Sequence, residues 1–177
     1  MVVQGRVWLG DAAAGEAGVC PGQKLATALG LVPGLTVFER DKQRERLALE
    51  GLAGWAGRFT PNLSLAPPDE ILLDIGGCLR LFGGLDAITS AIVAGCHEQG
   101  YTPQLGVAPT ALAARWLARA GGGAVCADTE SLSAALAALP CPVTRWPAEL
   151  LARLESFGLR HLGELRALPG AGLRRRL

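Results

Sequence analysis

The sequence has one tyrosine, one methionine, two histidines and only two lysines among its 17 basic residues. Its five cysteines, at 20, 78, 96, 126 and 141, include no C-x-x-C pair. An odd number of cysteines beside two histidines fits neither a disulfide framework nor a zinc site, so they read as reduced, mostly buried thiols. Long apolar runs are missing too. The longest uncharged stretch, residues 99–114, contains two Pro, two Thr and two Gln, which excludes a membrane span. The first ten residues lack the apolar core of a signal peptide, and the expectation is a soluble, cytoplasmic protein. A formal net charge of +1 gives no global field, so any nucleic-acid contact must come from local patches.

What is present is a strong bias: 29 Ala, 24 Gly and 30 Leu make up nearly half of 177 residues, a mark of GC-rich coding rather than of function. With 50% hydrophobic and 19% charged residues, the chain can bury a core as one ordinary domain or two small ones, and disorder is excluded as its main state. Charge is uneven. Residues 1–144 carry 10 basic and 13 acidic side chains, whereas residues 145–177 carry seven Arg against three Glu, about +4.

Periodicity predicts a strand over 1–9 and a short helix over 11–17 ended by Gly18. A helix with Pro21 in its first turn should run to about Leu29, followed by a strand over 35–39. Apolar residues at 49, 52, 55, 56 and 59 predict a helix from Asp41, its N-cap, to about Phe59. Strands over 63–65 and 71–75 flank the Ala66-Pro67-Pro68-Asp69 turn, with Glu70, Leu72 and Asp74 on one face and Ile71, Leu73 and Ile75 on the other. A helix over 85–99 is to be buried through Ile88, Ile92 and Val93 and closed by Gly100. Strands over 104–108 and 124–127 bracket a helix capped by Thr110 and running to Arg119. After a helix over 129–139, Pro140, Pro142 and Pro147 read as a stiff connector and domain boundary, beyond which the chain is wholly helical. The expected fold is α/β, an α+β sheet layer with packed helices in the first ~145 residues, followed by an all-helical segment.

Two clusters could carry chemistry. In the tail, a short helix, the turn Pro169-Gly170-Ala171-Gly172 and a second helix start have the helix-hairpin-helix pattern. Gly170 and Gly172 would let backbone N–H groups approach a phosphate, and Arg174, Arg175 and Arg176 would add a sequence-independent contact to a nucleic-acid backbone. A solvated basic terminus on a small helical bundle is the plain alternative. The second cluster is Asp69-Glu70, with Asp74 on the following strand. Adjacent carboxylates at the mouth of a sheet suit the divalent metals of phosphoryl transfer, yet two are a poor cage for two hard cations, and the strand over 1–9 offers no third. By spacing alone Pro-Pro-Asp-Glu is more often a charged turn. Gly18 to Lys24 has the wrong spacing for a Walker loop, and Cys96 and His97 point apart on their helix.

These residues resemble the Y-family translesion DNA polymerases (UmuC/DinB class), most closely the ImuB-like branch. GVCPGQKLATALGLVPGLTVFERD is similar to the entry of the fingers, PPDEILLDIGGCLRLFGG to the palm, GVAPTALAARWLA to a palm helix, and WPAELLARLESFGLRHLGELRALPGAG to the thumb with its helix-hairpin-helix turns. The resemblance implies a palm part over 1–16, fingers over 17–60, palm over 61–140 and a truncated thumb over 141–177. It places Asp69 and Glu70 on the family's adjacent catalytic, metal-binding pair, with Mg²⁺ as the cofactor if the chain is catalytic and none required otherwise. Ala111 falls where active members have a Lys near the triphosphate, Arg115 where a second Lys follows as a DNA-side contact, and Lys42 near the nucleotide-binding position of the fingers.

The family's first palm strand and its metal-binding Asp are expected to be missing at one end, and the little finger and any clamp-binding tail at the other. Loss of a metal carboxylate and the phosphate Lys should remove most catalysis, because metals and cation positioning supply nearly all the rate in phosphoryl transfer. The implied function is a DNA-binding adaptor in translesion synthesis and the SOS response, holding primer-template DNA without nucleotidyl transfer. Its implied partners are an error-prone replicative-type polymerase, a RecA-like accessory protein and the sliding clamp. The alternatives are a fragment of an active DNA-directed DNA polymerase using Asp69 and Glu70 as metal ligands, and a poorly folding remnant with an exposed sheet edge.

Overall fold

A computed structural model describes residues 1–126 and 128–168. It falls into two compact units, residues 1–50 with 67–69, and residues 51–66 with 70 onward.

In the first unit the opening segment is not one strand but a hairpin. β1 (Val2–Val3) and β2 (Arg6–Val7) pair antiparallel in the register Val2↔Val7 and Val3↔Arg6. Gln4 and Gly5, at φ 48° and 70°, supply the two left-handed residues that a two-residue hairpin turn demands. Val2 then donates its N–H to the Phe38 carbonyl at 2.8 Å and accepts from the Arg40 N–H at 2.9 Å, so the strand expected over 35–39 is reduced to a single parallel bridge, Val2↔Glu39. α1 (Ala12–Glu16) starts where the Asp11 side chain accepts the Ala14 N–H at 2.8 Å. α2 (Leu25–Leu31) begins four residues after Pro21, which lies instead in the preceding turn. The core here is made of Val7, Ala14, Val19 and Ala28, backed by Val32 and Leu35. α3 (Lys42–Ala56) starts at Asp41, whose carboxylate accepts the N–H groups of Gln43 and Arg44 as predicted.

In the second unit β3 (Leu63–Ala66) and β4 (Glu70–Leu73) pair antiparallel, Leu63↔Leu73 through Ala66↔Glu70. The buried Thr60 hydroxyl donates to the Asp74 carbonyl at 2.6 Å and accepts the Asn62 N–H, fastening both ends of the hairpin. A short 3₁₀ turn (Gly76–Cys78) and α4 (Leu79–Phe82) lead into α5 (Leu85–Glu98). Ile88, Ile92 and Cys96 of α5 meet Phe59, Trp55, Leu73, Ile75 and Phe82, as the alternation along β4 and the helical spacing predict; Val93 is half-buried. Gly95 is required by packing: a Cβ there would overlap the Trp55 ring.

α6 (Ala111–Arg119), with the Thr110 hydroxyl accepting from the Ala113 N–H at its start, and α7 (Thr129–Ala137) enclose a second cluster of Ala113, Leu117, Cys126, Leu132, Leu139 and Val143. The proline-rich stretch expected to be a stiff connector is part of this core. Cys141, Val143 and Thr144 are buried in a 3₁₀ turn (Cys141–Thr144), and Leu162 packs against the same cluster. α8 (Ala148–Ser156) and α9 (Leu162–Ala167) complete the described chain.

The single sheet layer predicted from the sequence does not form among the described residues, which hold two separate two-stranded hairpins. Among the described residues, the segments expected over 104–108 and 124–127 meet in the isolated bridge Val107↔Val125. Pro103, Gly106, Pro109 and Gly121 to Gly123 punctuate them, and proline lacks the ladder N–H while glycine offers no side chain to pack on the pleat. No single described helix is long and apolar enough to cross a membrane. All five cysteines are free, with Cys96, Cys126 and Cys141 buried, Cys78 half-buried and Cys20 exposed.

Candidate functional site

β4 opens with Glu70, and the pleat turns this carboxylate away from the Leu73 and Ile75 face that enters the core. On α6, Arg115 and Arg119 stand four residues apart and therefore share a face. They converge on Glu70. Arg115 Nε donates to Glu70 Oε2 at 2.8 Å; Arg119 Nε donates to Oε1, and its Nη2 donates to Oε2 at 2.9 Å. Arg119 Nη1 donates to the Val143 carbonyl at 2.8 Å, reaching the 141–144 turn as well. Arg145 Nη1 stands 3.6 Å from Glu70 Oε1, on a backbone held at φ 55°. The Glu70 and Arg119 side chains are only 15% and 11% exposed, so the forked pair is largely removed from water.

Burial by itself would raise the Glu70 pKa. The hydrogen bonds from Arg119 and Arg115, with their charges, outweigh it and hold the carboxyl below its usual range. Both carboxylate oxygens are thus occupied by guanidinium N–H groups of Arg115 and Arg119, with Arg145 close by.

Asp69 has different surroundings. It is exposed, groups with residues 1–50, and its charge acts on Arg40. Arg40 itself is paired side-on with Glu45, Nε to Oε1 and Nη2 to Oε2 both at 2.7 Å, and lies 4.1 Å from the centre of the Trp8 ring. The hydrogen bond between them raises the Arg40 pKa and lowers that of Glu45. Asp74, just past the end of β4, is exposed and accepts the Gly76 N–H at 3.2 Å.

A pair of Mg²⁺ ions needs several converging oxygen ligands with open lone pairs. Among the described residues no group of three His, Cys, Asp or Glu converges, and the Glu70 oxygens already accept from arginine. The donor set does not fit the metal.

Of the remaining sequence candidates, Lys42 is exposed at the first position of α3, and Ala111 is exposed at the first position of α6. Gly170, Gly172, Arg174, Arg175 and Arg176 lie outside the described residues. The helix leading to them is described: Glu164 accepts the N–H groups of Arg160 at 2.6 Å and His161 at 2.8 Å, and Leu162 donates to the Leu139 carbonyl at 2.9 Å. Sequence reasoning missed Arg119, Arg145 and the Arg40–Glu45 pair. The four-residue spacing of Arg115 and Arg119 was a usable signal for one basic helix face; nothing local pointed to Glu70 as its partner.

Residues 4–119 match the family described as IMS, the impB/mucB/samB family. Protein ImuB of Caulobacter vibrioides is 38% identical over 159 residues, which cover 90% of this chain and 35% of that protein. The chain therefore spans about a third of the length of the curated relatives it matches. Among solved structures, an insertion ternary complex of Dbh DNA polymerase is similar, with TM-score 0.73 and 17% identity over 93% of this chain and 49% of that one. DinB from Sulfolobus solfataricus gives TM-score 0.72 and 17% identity over 92% and 49%.

Proposed function

The chain belongs to the impB/mucB/samB family of Y-family polymerase-like proteins, and from that premise we propose that it serves DNA-damage tolerance as a DNA-binding adaptor without nucleotidyl transfer of its own. The observation that carries the reading is Glu70 held by Arg115 and Arg119 at the position the resemblance assigns to a metal ligand. Phosphoryl transfer draws its rate from metals and positioned cations, and a carboxylate committed to two guanidinium groups supplies neither. The similarity to ImuB supports the same branch.

In this reading the tail glycines Gly170 and Gly172 and the arginines Arg174, Arg175 and Arg176 hold primer-template DNA by its phosphates, the motif being a helix-hairpin-helix in a thumb-like segment. Lys42 and Arg115 are secondary candidates, for nucleotide and DNA respectively. A separate error-prone polymerase, a RecA-like protein and the sliding clamp are the partners that the resemblance suggests for the whole protein.

The test is binding of a fluorescent primer-template duplex across a salt series, with and without Mg²⁺ and dNTPs. Expected is binding that weakens steeply with salt, falls at least about tenfold when Arg174, Arg175 and Arg176 are all changed to Ala, and yields no extended primer. Primer extension abolished by D69N or E70Q would instead establish the polymerase reading. A folded chain that binds no duplex would overturn the DNA-binding assignment.

A further inference from the structure

The geometry points to Glu70 as the anchor of an arginine brace that has taken the place of a metal site. Three parts of one unit meet on this carboxylate: strand β4, which carries it; helix α6, through Arg115 and Arg119; and the 141–144 turn, through the Arg119 bond to Val143 and through Arg145 just beyond it. A divalent ion in a carboxylate site neutralises charge and ties together separate chain segments. Here guanidinium groups do both, and because arginine does not deprotonate in proteins, the cation is permanent and covalently part of the chain. The brace does not rest on DNA binding by the tail arginines and would stand in a chain that held no duplex.

The arrangement also has a direction. Arg115 and Arg119 both bond the one Glu70 carboxylate, so the charge of this fork is positive and rises if Glu70 is neutralised. Without the Glu70 charge, the same side chains form a ready pocket for a tetrahedral anion, since forked guanidinium donors suit phosphate as well as carboxylate.

Thermal unfolding of the wild type, D69N, E70Q and R115Q, at matched ionic strength, tests both parts. The probes are MnCl₂, MgCl₂ and inorganic phosphate. The wild-type midpoint should not rise saturably with either metal. E70Q should melt about 5–10 °C lower, because it strands the largely buried Arg119 guanidinium, and millimolar phosphate should restore part of that loss while leaving the wild type unmoved. A saturable metal-dependent rise in the wild type that D69N and E70Q abolish overturns the brace in favour of a metal site. An E70Q protein that melts like wild type overturns it as well, and phosphate acting equally on both proteins rejects the anion pocket. Should E70Q not fold, R115Q serves: it keeps the Arg119 fork, should melt about 2–5 °C lower, and should gain no metal response. An unchanged R115Q midpoint would then sink the proposal.

Discussion

Glu70 is the residue on which the second unit's electrostatics turn, and its titration gives a pH prediction with a definite sign. Its folded pKa lies below the ordinary 4.5, lowered by Arg119 and Arg115 against the opposing effect of burial. The stability it contributes is therefore complete above about pH 4.5 and is lost as pH falls through the lowered folded value. Other carboxylates, Glu45, Asp128 and Glu164 among them, are lowered too, so total acid sensitivity does not isolate it. The difference between wild type and E70Q does. Urea denaturation at a series of pH values should show the gap between the two proteins constant near neutrality and closing below about pH 4.5. A gap that widens with acid would contradict the assignment.

Elements fix where such residues stand, and the approach of α5 to α3 shows how narrow the tolerance is. Gly95 faces the Trp55 ring, which also meets Phe59 edge-on with centroids 5.2 Å apart. A methyl group there has no room, because the overlapped atoms belong to a rigid ring rather than to the end of a flexible side chain. Gly95→Ala should cost about 1–3 kcal/mol despite its better helix propensity, whereas the same change at Gly51, with open space around it, should stabilise slightly. Chemical denaturation of the two variants decides it; equal effects would mean that the ring moves aside. Much at this scale was legible in the sequence. Helices with a cap and an apolar stripe, α3, α5 and α6, lie within a few residues of their predicted bounds, and the β3–β4 hairpin follows from alternation broken by Pro67-Pro68. The single strand over 1–9 was misread because Gln4-Gly5 is a weaker turn signal than Asn-Gly. The segments near 35, 105 and 125 looked like strands because they are apolar, but a strand needs a partner for its ladder, and pairing is not a local property. The joining of Glu70 to Arg115 and Arg119 spans more than forty residues and leaves no periodic trace.

At the scale of the whole molecule the two units differ in what they bury. The first rests on Val7, Ala14, Val19 and Ala28, small side chains that remove little apolar surface from water. The second has two clusters, one around Phe59, Ile88 and Ile92 and one around Leu117, Leu132 and Leu139. Local opening follows such differences. Native-state hydrogen exchange should show the Ala28 and Val32 amides, both bonded in and around α2, exchanging well before those of Ile92 and Leu117. Equal protection would mean that the units open together. The span of three residues between the paired Ala66 and Glu70 has a consequence for descent. Side chains alternate strictly along β4, so an insertion or deletion of one codon that shifted the register would send a carboxylate toward the core and leave Ile71 facing the arginines. Substitutions in the loop Pro67–Asp69, and length changes that the loop itself absorbs, can accumulate one at a time, whereas a one-residue slip of β4 needs compensating change at Arg115 and Arg119, so the inherited constraint falls on register and not on loop length.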